Sequence, residues 1–154
     1  LFFSKHFEKQ EIEYIEEPAS SFSDLITFSQ QSHLAIALDE SLYLHPIERL
    51  KTLKNLKLFI LKPTLIGGKD EHKAIISKCF PIPCTLSSSY ESSIGITNII
   101  ALAHELNITE TLGINTCRYA ANSIVKNANT ICKNYLDFNK IEIKEEMLCP
   151  LILR

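Results

Sequence analysis

The sequence runs to 154 residues, 45% of them hydrophobic and 22% charged, with a formal charge of -2 and a pI near 6.2. One domain fits that length, folding buries roughly 70% of the unfolded surface, and the composition is that of an ordinary soluble globular protein. The near-neutral balance leaves no electrostatic footprint for nucleic acid or an acidic membrane, no apolar run approaches the ~20 residues that span a bilayer, and no signal-peptide pattern opens the chain.

Short β-prone runs recur along the chain, each followed at once by polar, Gly or Pro residues: Ile12–Ile15, Leu34–Leu38, Lys57–Leu61, Cys84–Leu86 and Thr111–Ile114. Residues before the first of them, Leu1–Glu11, read as the tail of a helix. Between the strands lie segments with helical spacing. Phe22, Leu25, Ile26 and Phe28 fall mostly on one face; Ile47, Leu50, Leu53 and Leu56 predict a helix over Ile47–Leu58; Ile99, Leu102, Ala103 and Leu106 predict one over Ile94–Leu106. Pro46 suits the first turn of the second helix, and Ser92 and Ser93 offer caps for the third.

The residues that close these strands, Glu16, Asp39, Lys62, Ser88 and Gly113, are spaced by 23, 23, 26 and 25 positions. That is the length of one strand, loop, helix and return loop, so the chain reads as about five βα units. An open doubly wound sheet gives the same beat. Polar and ionisable residues recurring at the C-terminal strand ends favour a barrel, whose chemistry is placed there.

Each strand end carries its own chemistry. Glu16, in Tyr14-Ile15-Glu16-Glu17-Pro18, is a metal ligand, a general base or a solvated loop residue on its own showing. Asp39, in Ala37-Leu38-Asp39-Glu40-Ser41, has the same phase. Two such carboxylates on neighbouring parallel strands stand ~5 Å apart in backbone, and a hard cation such as Mg²⁺ removes their mutual repulsion. Lys62 closes the third strand next to Asp39; it is either a snorkelling edge residue or a group that moves a proton or steadies an anion. Gly67 and Gly68 after it free the backbone to turn, and all four glycines lie on or just after strand ends, which suits ligand-facing loops. The fourth end, Ser87-Ser88-Ser89-Tyr90-Glu91-Ser92-Ser93-Ile94-Gly95, has the composition of a linker. Its phase and its run into an apolar helix make it an anion-binding loop.

The five cysteines, Cys79, Cys84, Cys117, Cys132 and Cys149, are odd in number and form no C-x-x-C pair, so they read as reduced thiols of a cytoplasmic protein. The five histidines make no zinc pattern.

Taken in order, Y-I-E-E-P, A-L-D-E-S-L, L-K-P-T-L-I-G-G, S-S-S-Y-E-S-S-I-G and L-G-I-N-T resemble the o-succinylbenzoate synthases, in the muconate-lactonising branch of the enolase superfamily. The resemblance covers about residues 10–116. It implies an α/β fold, the C-terminal portion (about five βα units) of an enolase-type (β/α)₇β barrel. Residues 1–132 would hold strands 4 to 8, and 133–154 a tail in which Tyr135–Phe138 and Ile141–Ile143 suit a hairpin. It implies Mg²⁺ as cofactor with Glu16 and Asp39 as two of three ligands, and Lys62 steadying an enediolate. Ser87 and Ser88 would lie near the succinyl carboxylate, with Gly113 lining the substrate.

The implied substrate is a small-molecule carboxylate, 2-succinyl-6-hydroxy-2,4-cyclohexadiene-1-carboxylate, dehydrated to 2-succinylbenzoate in menaquinone biosynthesis. Two departures stand out. Asn115 replaces an aspartate usual in the last motif. The first metal ligand and the K-x-K proton-transfer lysine belong to earlier strands, so the N-terminal barrel half and a capping domain are expected as missing partners. The start at Leu1 and a single methionine, Met147, fit an incomplete protein. Dipeptide epimerases and N-acylamino-acid racemases share the D-E-S and the lysine but lack the triple serine. A non-catalytic truncated barrel piece is the third reading.

Overall fold

The computed structural model describes residues 7, 11–116, 142 and 144. The expected helix tail before residue 11 falls outside these apart from Phe7. So does the tail from 133 to 154 apart from Glu142 and Lys144, and with it the expected hairpin.

Four parallel strands form one sheet in the order β1-β2-β3-β4: β1 (Ile15–Glu16), β2 (Ile36–Leu38), β3 (Leu56–Leu61) and β4 (Cys84–Leu86). Helices cross between them: α1 (Phe22–Gln31), then α2 (Ser41–Leu44) and α3 (Ile47–Leu50), then α4 (Pro63–Ile66) and α5 (Lys69–Cys79). After β4 comes α6 (Ser93–Glu105). The expected fifth strand is reduced to one parallel bridge between Ser87 and Gly113. Gly113 donates its N–H to Leu86 O at 2.9 Å and accepts the N–H of Ser88 at 2.9 Å.

Side chains alternate across a strand, and here the two sets part cleanly. Ile36, Leu38, Phe59, Leu61, Cys84 and Leu86 face the helices, packing with Phe22, Leu25, Leu50, Ile96 and Ile99 into the main core. Burying such side chains contributes about 1.5–3 kcal/mol each. The intervening residues Ala37, Leu58 and Ile60, with Tyr14 against them, form a second, smaller cluster. Glu16, Asp39, Lys62 and Ser87 have the parity of that second set. Each therefore ends its strand on the sheet face away from the helices.

Local chemistry explains where the helices begin and stop. Ser21 caps α1 by accepting the N–H of Asp24 at 3.2 Å, and Ser92 caps α6 by accepting that of Gly95 at 3.3 Å. The helix expected over Ile47–Leu58 ends at Leu50. Thr52 donates its hydroxyl to Arg49 O at 2.7 Å, which competes with helical bonding. Asn55 then ties the chain into the sheet. Its side-chain amide donates to Ser29 O and Ser32 O at 3.3 and 2.6 Å, and its carbonyl accepts the N–H of Ile36 at 2.8 Å. Leu53 and Leu56 keep their burial in this turn and in the new strand. Helix α5 has no counterpart among the expected helices. It has Asp70 and Glu71 in its first turn and Lys78 in its last, as the helix dipole favours, yet buries only His72 and Cys79.

Cys79 and Cys84 are buried free thiols; the other three cysteines lie outside the described residues. Among the described residues, no helix is long and apolar enough to cross a membrane.

Candidate active site

Glu16, Asp39 and Lys62 converge where β1, β2 and β3 end. Pairing of Glu16 with Ala37 and of Leu38 with Phe59 sets the three ends side by side. The Asp39 side chain is fully buried, yet neither carboxylate oxygen accepts a hydrogen bond. Lys62 Nζ forms an ion pair with Asp39 Oδ2 at 2.5 Å and another with Glu40 Oε1 at 3.1 Å.

The charges in this cluster strain against one another. Burial pushes the Asp39 carboxyl above its ordinary range, although Lys62 pulls it back. Burial also raises Glu16, and the neighbouring Asp39 raises it further. For Lys62, burial favours the neutral amine, but the contacts to Asp39 and Glu40 outweigh it and lift the pKa above the ordinary lysine range. Its backbone is held too, donating its N–H to Tyr43 Oη of α2 at 3.0 Å. The two carboxylates thus favour the ammonium form of Lys62 over the neutral amine.

The second glutamate of Glu16-Glu17-Pro18 carries a role the sequence did not separate from the first. Glu17 Oε2 accepts the N–H of Asp39 at 2.8 Å and that of Ser41 at 3.3 Å, while Oε1 accepts the Ser41 hydroxyl. It thereby fastens the end of β1 to the turn after β2.

The serine loop is fastened in the same way. Ser87 donates its N–H to Leu61 O at 2.9 Å, which sets it beside Lys62 along the sheet. Its hydroxyl donates to Gly113 O at 3.2 Å. The Ser88 hydroxyl is buried, 3.0 Å from Gly113 O and 2.6 Å from Thr116 Oγ1. Ser87, Ser88 and Gly113 are thus brought together, bonded to one another. Glu91 accepts the N–H of Ser89 at 2.5 Å and the hydroxyl of Thr64, linking this loop to the one after Lys62. Two glycines make room for these ties rather than lining open space. A Cβ on Gly95 would lie 2.6 Å from Glu91 Cβ, and one on Gly113 would lie 2.7 Å from Ser87 Oγ.

A divalent cation fits the Glu16–Asp39 pair. Two buried carboxylate oxygens that only the Lys62 ion pair offsets, beside a second carboxylate that repels them, are the oxygen donors a hard cation takes. The pair is only part of a coordination set. Among the described residues, no group of three or more His, Cys, Asp or Glu side chains is placed to hold a metal ion.

No protein-family model matches the chain. The o-succinylbenzoate synthase of Vibrio cholerae serotype O1 (strain M66-2) is 37% identical over 113 residues, which are 70% of this chain and 34% of that protein. In sequence and fold, the chain is similar to o-succinylbenzoate synthases. The o-succinylbenzoate synthase of Thermosynechococcus elongatus BP-1, solved with Mg in its active site, superposes with a TM-score of 0.55 at 25% identity, over 73% of this chain and 37% of that one. A mandelate racemase/muconate lactonizing protein from Herpetosiphon aurantiacus gives 0.67 at 16% identity, over 80% of this chain and 37% of that one; this likeness is one of fold. The parallel βα arrangement is that of the C-terminal portion of an enolase-superfamily barrel. The chain spans about a third of the length of the o-succinylbenzoate synthases it matches.

Proposed function

We propose that this chain forms the C-terminal part of an o-succinylbenzoate synthase, a Mg²⁺-dependent lyase that dehydrates 2-succinyl-6-hydroxy-2,4-cyclohexadiene-1-carboxylate to 2-succinylbenzoate, a step of menaquinone biosynthesis. The observation that carries the reading is the cluster Glu16–Asp39–Lys62. Two repelling carboxylates, one without a hydrogen-bond donor, stand beside a lysine locked in its charged form. The similarity to o-succinylbenzoate synthases, one of them solved with Mg, supports the choice of metal and reaction.

Glu16 and Asp39 would hold the metal, which supplies positive charge opposite the substrate carboxylate when bound. Lys62 adds a second positive charge, fixed 2.5 Å from Asp39, against the anion that develops when the proton beside that carboxylate leaves. Its ion pairs with Asp39 and Glu40 favour the ammonium form, which suits it to this task, and the resemblance assigns removal of the proton to a lysine of the earlier strands. Loss of that proton and of the ring hydroxyl as water yields the aromatic product. Ser87 and Ser88, whose hydroxyls bond Gly113 O beside the Lys62 strand end, would lie nearest the succinyl carboxylate.

The test is the full-length protein, meaning this chain together with the earlier barrel strands and the capping domain, assayed for 2-succinylbenzoate with Mg²⁺ and with EDTA. Metal-dependent formation of the aromatic product is the expected result. Epimerised dipeptide in place of that product would make the protein an epimerase, and neither activity would leave a non-catalytic barrel.

A further inference from the structure

Glu17 is conspicuous for what it takes away from its neighbour. An aspartate at the start of a turn ordinarily bonds the backbone N–H two residues on, closing an Asx turn. For Asp39 that donor is the Ser41 N–H, with the Ser41 hydroxyl beside it. Glu17 holds both, and the Asp39 N–H as well. The result is a fully buried Asp39 carboxylate that accepts no hydrogen bond, beside Lys62 and Glu16. Glu17 reaches this position through a left-handed backbone, φ +45°, uncommon for a residue with a Cβ. It follows Glu16 directly, so the strand end delivers one carboxylate to the site and bends the next onto the turn of the adjacent strand.

We propose that Glu17 is a positioning residue: by occupying the donors of the Asp39–Ser41 turn, it keeps Asp39 from bonding its own backbone and leaves that carboxylate free for a divalent cation. This rests on the reading of Asp39 as a metal ligand, and deepens it. Glutamine keeps the length and one acceptor oxygen for the two N–H groups. Its amide can donate to the Ser41 hydroxyl, which turns to accept. Alanine removes every acceptor. Aspartate keeps the charge and shortens the reach by one methylene.

The experiment titrates the full-length protein with Mg²⁺ alone by calorimetry, with the melting temperature of each metal-free variant as a fold control. Glu17→Ala and Glu17→Asp are expected to weaken Mg²⁺ by about tenfold or more, and Glu17→Gln by less than about threefold, the range of an outer-shell partner. Should Glu17→Ala fail to fold, Glu17→Asp decides the matter. Unchanged affinity in the shortened variant overturns the proposal. Loss in Glu17→Gln equal to that in Glu17→Ala overturns it too, since removing the charge alone would then account for the whole effect. Asp39→Asn separates the two levels. If it leaves Mg²⁺ binding intact, the ligand reading fails; if it abolishes binding while the Glu17 variants do not weaken it, only the role of Glu17 fails.

Discussion

Lys62→Met should destabilise the metal-free full-length protein in a strongly pH-dependent way. The substitution removes the ammonium 2.5 Å from Asp39 Oδ2 and leaves a fully buried carboxylate facing Glu16. Breaking a buried pair from one side costs about 3–5 kcal/mol; Lys62 retains some exposure, which lowers the expectation to about 2–4 kcal/mol. The sign follows from the direction of the shift. Burial already raises the Asp39 pKa, and Lys62 is what holds it down, so the variant raises it further. A carboxyl raised in the folded state contributes stability below its unfolded pKa, about 3.9, and loses it as pH climbs through the folded value. The penalty should therefore be small near pH 4 and grow toward neutrality, where it levels off. Urea unfolding in EDTA at several pH values measures it. Adding Asp39→Asn removes the stranded charge and should return about 1–3 kcal/mol at pH 7.5, making the remaining loss flat with pH. A loss uniform across pH, or one that Asp39→Asn fails to reduce, would refute the assignment of Lys62 as the partner of a buried charge.

Three further outcomes are expected. Glu16→Gln or Asp39→Asn should abolish turnover in the full-length protein through loss of Mg²⁺, and a near-normal rate at limiting Mg²⁺ in either would remove that residue from the ligand set. Gly113→Ala should cost about 1–3 kcal/mol by forcing a methyl into Ser87, and Ser87→Gly should recover most of it in the same urea assay. The 154 residues made alone should show no synthase activity and should self-associate, because among the described residues β1 pairs only with β2 and no strand takes its other edge; a monodisperse monomer by light scattering that dehydrates the substrate would contradict both parts.

What was legible in the sequence follows from the physics that made it so. The βα beat could be read because each strand must bury an apolar run and then end, and because alternation sends every second residue to the same face. Glu16, Asp39 and Lys62 are thus readable from the sequence as a set, and Ser92 as a cap from its place ahead of an apolar helix. Where two patterns share residues, periodicity fails. Leu53 and Leu56 continue the helical spacing of Ile47 and Leu50 but belong to a turn and a strand, because Asn55 gains more partners in the sheet than a helix offers it. Helix α5 is a mostly solvated surface helix whose charges follow the dipole without an apolar stripe to announce it.

The supporting groups were illegible for a different reason. Glu17, Tyr43, Thr64, Glu91 and Thr116 each bond a neighbouring strand-end loop, and a polar residue satisfied across loops has the same sequence signature as one satisfied by water. Asp39 stands out because its carboxylate is fully buried and accepts no hydrogen bond, with only the Lys62 ion pair to offset its charge. Its supporters are ordinary polar residues until the fold shows which donors they occupy. Glu16-Glu17-Pro18 taken alone does not say which glutamate faces the site; the 23-residue spacing picks out Glu16, and the left-handed φ of Glu17 bends the second one away. Sequence therefore exposes the atoms that do the chemistry more readily than those that hold them still, and the latter are where substitutions in this chain should test the reading most sharply.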